Sequence, residues 1–86
     1  MKYTVEYQNE AIADLEKLTQ VVRNRIISKI NWLAENFDGI TPIPLSGNLA
    51  GFYKLRVGDY RVIYEFISEE KVVVIDRIGH RREIYD

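Results

Sequence analysis

Phe52-Tyr53-Lys54-Leu55-Arg56-Val57-Gly58-Asp59-Tyr60-Arg61-Val62-Ile63-Tyr64-Glu65-Phe66-Ile67 is the stretch whose reading decides the fold. Side chains of an extended strand point alternately to two faces. In the first run Tyr53, Leu55 and Val57 fall on one face, and Lys54 and Arg56 on the other. In the second, Val62, Tyr64 and Phe66 oppose Arg61, Ile63 and Glu65. Gly58-Asp59 is too short a connection for anything but antiparallel neighbours. The apolar faces need a cover, and Lys54, Arg56 and Arg61 then share the face left without one.

Downstream, Ser68-Glu69-Glu70 reads as a second hairpin loop and Val72 to Ile78 as a third run, with a final short strand expected over Glu83 to Tyr85. Arg77 and the group His80-Arg81-Arg82 come at the end of the third run, where they are expected to join the other cations on one concave face. Upstream, the alternation in Tyr3-Thr4-Val5-Glu6-Tyr7 reads as a first strand. Asn9 stands at an N-cap position, and Ile12, Leu15 and Leu18 follow at helical spacing. Thr19 or Gln20 breaks that helix. Val22, Ile26, Ile30, Leu33 and Phe37 then form one stripe on a longer helix that Asp38-Gly39 ends, with Arg23, Arg25 and Lys29 turned away. Trp32 falls between the core positions and is expected to pack. The order is β-α-α-β-β-β with a further β at the end, an α+β fold with both helices on one face of an antiparallel sheet.

The chain has 86 residues, which suits a single domain over 1–86, and its net charge is −1. It has no cysteine, so disulfides and thiolate metal sites are excluded. A single histidine excludes a two-histidine metal site or a histidine acid–base pair. The Gly47 to Gly51 spacing lacks the Lys-Ser/Thr of a phosphate loop. No apolar run reaches the length of a signal sequence or a membrane span. The expectation is a cytoplasmic protein with no membrane partner, metal or cofactor.

What remains is Lys, Arg, Tyr and one His around a groove. Arginine binds phosphate through a planar fork of donors, and a tyrosine face accepts an unstacked base. RNA can be cut without a metal when its 2′-OH attacks the adjacent phosphate. A base must take the proton, an acid must protonate the leaving oxygen, and cations must hold the charge on the phosphate. Unperturbed Lys and Tyr titrate near ~10, so such a site needs crowding by other cations or an external scaffold to orient the substrate.

The block Leu45-Ser46-Gly47-Asn48-Leu49-Ala50-Gly51-Phe52-Tyr53-Lys54-Leu55-Arg56-Val57-Gly58-Asp59-Tyr60-Arg61-Val62-Ile63-Tyr64 closely resembles the core of the RelE/ParE toxin superfamily. So does the ending Ile78-Gly79-His80-Arg81-Arg82-Glu83-Ile84-Tyr85. With the element order, the resemblance covers nearly the whole chain. It implies a five-stranded sheet with the first strand beside the last. It also implies the toxin of a type II toxin–antitoxin pair, a metal-independent endoribonuclease cutting mRNA on the ribosome. By that resemblance Arg61 and Arg81 stabilise the phosphate transition state, and Lys54 neutralises charge and aids proton transfer. Tyr85 stacks on a base or acts as acid or base. Arg56 is a supporting phosphate contact, and Arg77, His80 and Arg82 belong to the substrate-binding set. The implied partners are a small cognate antitoxin, the ribosome and mRNA. The chain departs from the pattern in its near-neutral charge and in Phe52, two positions before Lys54, where a second lysine often stands. The same superfamily holds ParE-type gyrase inhibitors that cut no RNA, and a degenerate antitoxin-binding domain is a further alternative.

Overall fold

A computed structural model describes residues 2–83. The decisive stretch forms two strands, β3 (Tyr53–Val57) and β4 (Tyr60–Ile67). Gly58 between them adopts φ +59°, the left-handed backbone that a two-residue hairpin requires at its first position and that glycine adopts without strain. Val57 pairs Tyr60 across this turn, and the ladder runs back to Tyr53 opposite Tyr64. β5 (Val72–His80) returns antiparallel to β4. β1 (Thr4–Tyr7) lies parallel to β5, with Thr4 opposite Val72 and Tyr7 opposite Ile75. The strands stand in the order β1-β5-β4-β3-β2, so the first is indeed beside the last.

The fifth strand is not the one expected at the end of the chain. It is β2, the two residues Ile43–Pro44 on the outer edge of β3. Glu83 lies in a turn, and Tyr85 falls outside the described residues. Two residues, one of them a proline and the other preceded by Pro42, carry no alternation, so nothing in their pattern marks a strand.

α1 (Asn9–Glu16) and α2 (Gln20–Glu35) follow β1. Asn9 is the first residue of α1 rather than its cap; Gln8 holds that position and makes no side-chain capping bond. Thr19 is the break between the helices, its hydroxyl accepting the N–H of Val22 as the N-cap of α2. Arg23, expected to face solvent, turns back to donate from Nε to the carbonyl of Leu15 and from NH2 to that of Leu18. It thereby ties carbonyls at the end of α1 and in the link that follows to the start of α2.

The core lies between α2 and the sheet. Ile26, Ile30 and Leu33 are buried with Val62, Tyr64, Val73 and Ile75. Phe37, in a 3₁₀ turn beyond α2, stacks with Tyr3 and Phe66 at centroid distances of 4.6 and 4.7 Å. Burial raises the Tyr64 hydroxyl to a pKa of about 12, which suits packing rather than proton transfer. Two sequence expectations change. On α1 the buried residues are Ala11, Asp14 and Leu15, while Ile12 is exposed, because α1 sits beside β5 where the β1 ladder stops. Trp32 is 42% exposed instead of packed. Among the described residues no helix is long and apolar enough to cross a membrane.

Candidate active site

Residues that pair across strands share a face. Arg61 pairs Arg56 on β3 and Gly79 on β5, and Lys54 pairs Ile63. Lys54, Arg56 and Arg61 therefore occupy the sheet face opposite the helices, as the alternation predicts. Arg61 is only 5% exposed, and its NH1 donates to the carbonyl of Tyr60 at 3.3 Å. Gly79 beside it presents no side chain. Side chains directly opposite on antiparallel strands have Cβ atoms about 4.5–5.5 Å apart, and like charges there destabilise a sheet. An anion held between Arg56 and Arg61 would reverse that repulsion. Guanidinium forks match phosphate oxygens in geometry, and a fork fixed by burial loses little freedom on binding.

The turn after β5 meets the same end of the sheet. The Arg81 N–H donates to the carbonyl of Asp59 at 2.8 Å. This ties Arg81 to the β3–β4 turn, near the Arg56–Arg61 rung. Arg82 follows in this exposed turn. Its N–H donates to Nδ1 of His80 at 3.2 Å.

Two of the expected cationic contacts are engaged elsewhere. His80 pairs Tyr60, so it lies on the helix side of the sheet with its ring edge-on to Tyr60 at 5.5 Å. Its N–H and carbonyl both bond Glu83, and its Nδ1 accepts from Arg82, so this histidine organises a turn. Arg77 reaches α1. Its Nε donates to Oδ2 of Asp14 at 2.8 Å and its NH2 to Oδ1 at 3.3 Å. Asp14 also accepts the N–H of Ile78 at 2.9 Å. Burial alone would raise the Asp14 carboxyl, but the bonds from Arg77 and Ile78 and the charges of Arg77 and Lys17 outweigh it and hold the group below its ordinary range. Tyr85 lies outside the described residues.

Asp76 is a group the reading of the sequence missed. A bulge between the pairs Ile63–Arg77 and Tyr64–Ile75 leaves Asp76 without a cross-strand partner. The signal was present: Val73 and Ile75 alternate inward, but the next inward residue is Ile78, one position late. Asp76 faces Glu65, and burial, then the hydrogen bond and charge of Glu65, then the charge of Glu10, push its pKa up to about 7.

The sequence matches the family described as the ParE toxin of type II toxin–antitoxin system, parDE, over residues 5–85. The chain belongs to the RelE/ParE toxin family. Toxin RelG of Mycobacterium tuberculosis is 36% identical to it over 89 residues, which cover 99% of this chain and 98% of RelG. A chain in the crystal structure of the toxin–antitoxin complex RelBE2 from M. tuberculosis superposes with a TM-score of 0.85 at 32% identity, covering 94% of this chain and 93% of that one. The archaeal RelE–RelB complex from Pyrococcus horikoshii OT3 gives 0.74 at 25% identity, over 98% and 100% of the two chains. Two helices against a five-stranded, mostly antiparallel sheet is thus the RelE fold, and the cationic face of this toxin is built on the strands that define it.

Proposed function

We propose that this toxin cuts mRNA on the ribosome and that a cognate antitoxin restrains it. The observation that carries the reading is the rung formed by buried Arg61 and Arg56 directly opposite. Its likeness to RelG and to RelE chains crystallised with RelB supports both the activity and the partner. In the proposed reaction the 2′-oxygen forms a bond to phosphorus and the bond from phosphorus to the 5′-oxygen breaks. The products are a 2′,3′-cyclic phosphate and a free 5′-OH. The 2′ proton passes to a base and the 5′-oxygen takes one from an acid. Arg61, Arg56 and Arg81 hold the non-bridging oxygens, and Lys54 neutralises charge beside them. Tyr85 supplies a face for a base. Lysine and tyrosine are weak acid–base groups at neutral pH, so the ribosome contributes orientation of the message.

The test is to express the chain from a tight promoter and map 5′ ends on translated and untranslated transcripts. New 5′ ends confined to translated messages are expected. Arg61→Ala is expected to lower cleavage by about 10²–10³-fold, the usual loss for one transition-state donor. Growth arrest with intact messages would instead support gyrase inhibition, which the ParE description of the matching family keeps as the second reading.

A further inference from the structure

Three rungs of the β3–β4 ladder stand on the open face of the sheet, the one opposite the helices. Val57 and Tyr60 close a two-residue hairpin and so form a hydrogen-bonded pair. Arg56–Arg61 and Lys54–Ile63 are then non-hydrogen-bonded pairs, whose side chains stand closer together. One step past Tyr53–Tyr64 in the same register is a third such pair, Phe52 with Glu65. The Phe52 backbone agrees with this. Its N–H donates to Leu49 and its carbonyl accepts from Leu45, neither of them on β4. Cations thus occupy two rungs, and an aromatic ring beside a carboxylate occupies the third.

Phe52 is half-buried and, by alternation, lies on the face opposite Tyr53, which packs into the core. Leu45 and Ile63 are buried yet stand apart from the main core among the described residues. Leu45 is opposite Phe52 and Ile63 diagonal to it, so the two brace the ring without covering it. Glu65 is also half-buried and is hydrogen-bonded to Asp76. Two carboxyl groups bond each other only when one keeps its proton. Asp76, whose Oδ2 is buried, keeps it up to about pH 7. That leaves the charge on Glu65 and holds Glu65 from the β5 side.

An aromatic ring on a sheet face is a platform for an unstacked base. A carboxylate beside it accepts two parallel N–H bonds and donates none. Only guanine presents a ring N–H and an amino N–H side by side on its Watson–Crick edge. Adenine and cytosine set their amino group beside an acceptor, and uracil sets its N–H between two carbonyls. Each of those edges turns an acceptor towards the carboxylate. We propose that Phe52 stacks on a guanine of the message while Glu65 accepts its N1–H and N2–H, so that this rung sets the sequence at which the toxin cuts. The inference rests on the reading of the Arg56–Arg61 rung as the phosphate site. Arg56 and Phe52 are four residues apart on one strand, about 14 Å. The guanine is therefore a neighbour of the cleaved nucleotide, and Lys54 between them meets the intervening phosphate.

Glu65 repels the backbone of any message, so its contact with guanine shows as a ratio of affinities. The probes are two labelled oligouridines, one with a single central guanine and one with a single central adenine. Both are titrated with the full chain by anisotropy below pH 7. The guanine strand is expected to bind about tenfold tighter, the discrimination of one bidentate pair. Glu65→Gln is expected to raise affinity for the adenine strand and to erase or invert the difference. Phe52→Leu keeps the apolar packing but not the ring, and is expected to weaken both strands about tenfold; Phe52→Tyr is expected to bind both as the parent does. On translated messages the new 5′ ends are expected to lie near guanine, and to lose that preference with Glu65→Gln. Equal affinity for the two strands, a guanine preference that survives Glu65→Gln, or parental binding by Phe52→Leu would overturn the proposal. A chain that prefers guanine yet cuts no message would keep this site and remove the nuclease reading. One that cuts translated messages without regard to guanine would do the reverse.

Discussion

Asp14 and Asp76 sit at opposite ends of what a carboxyl group can experience, although both act on the same few residues of β5. Among the described residues, Asp76 Oδ2 is buried without a hydrogen-bond partner beside Glu65 and Glu10. In the folded chain it keeps its proton up to about pH 7, whereas an unfolded aspartate loses it near 3.8. The folded state therefore binds more protons over that window, and stability falls as pH rises through it. Asp76→Asn removes this loss. The difference in Tm between variant and parent is expected to grow from pH 4 to pH 7 and then level, reaching on the order of 5 °C at pH 8. Thermal melts across that range check it; a variant no more stable relative to the parent at pH 8 than at pH 5 would remove the assignment. Asp14 works in the other direction. Its lowered value gives stability that is present above its ordinary 3.8 and lost as pH falls through the folded value. Neither role was legible from composition, because each depends on a neighbour more than fifty residues away or across a strand. His80 shows the same limit. The family resemblance implied a substrate contact, but the register turns it to the helix side. His80→Ala is accordingly expected to change cleavage by less than about tenfold, against the hundredfold or more for Arg61→Ala.

At the scale of elements, α1 occupies the position that β1 would have filled had it continued along β5. The N–H of Ile78 has no strand on that side, and the Asp14 carboxylate stands in for one while clamping Arg77. This clamp lies next to the bulge that sets Gly79 opposite Arg61 and His80 opposite Tyr60. Removing one partner of a buried hydrogen bond costs about 1–3 kcal/mol. Asp14→Ala is expected to lose that much in denaturant unfolding and to speed exchange of the Ile78 amide. Asp14→Asn keeps an oxygen for Ile78 and is expected to retain the slow exchange; equal exchange in the two variants would refute the stand-in role. The strands of the decisive stretch were legible because alternation in Tyr53–Val57 and Tyr60–Ile67 is driven by burial of one face. α2 was legible from its stripe. The inward face of α1 was not, since its buried positions include a charged residue that only the edge of β5 explains.

For the whole molecule, a net charge of −1 conceals a sorted surface. On the open face the cations Lys54, Arg56 and Arg61 lie toward β3. Glu6 and Glu65, which flank Val74 in one cross-strand row, lie toward β1 with Asp76. The cationic half was legible in the sequence because each cation sits out of phase with an apolar neighbour. The acidic half was not, because the parallel pairing of β1 with β5 assembles it from distant segments. This sorting limits how the toxin meets a polyanion. Each phosphate neutralised on a single strand contributes about −0.7 to the slope of log K against log salt. The four cations assigned to the message, Lys54, Arg56, Arg61 and Arg81, give a slope no steeper than about −3, shallow for a nucleic-acid binder and in keeping with the proposal that the ribosome presents the message. Arg56→Ala is expected to make that slope shallower by about 0.7, measured by anisotropy with a labelled single-stranded RNA. Lys29→Ala, on α2, is expected to leave it unchanged. Glu65→Gln removes a repelling charge without adding a contact, so affinity rises at low salt and converges with the parent as screening takes hold. A slope unaffected by Arg56→Ala, or lost equally with Lys29→Ala, would mean that RNA does not lie on this face, and the rung between Arg56 and Arg61 would then need another anion to account for it.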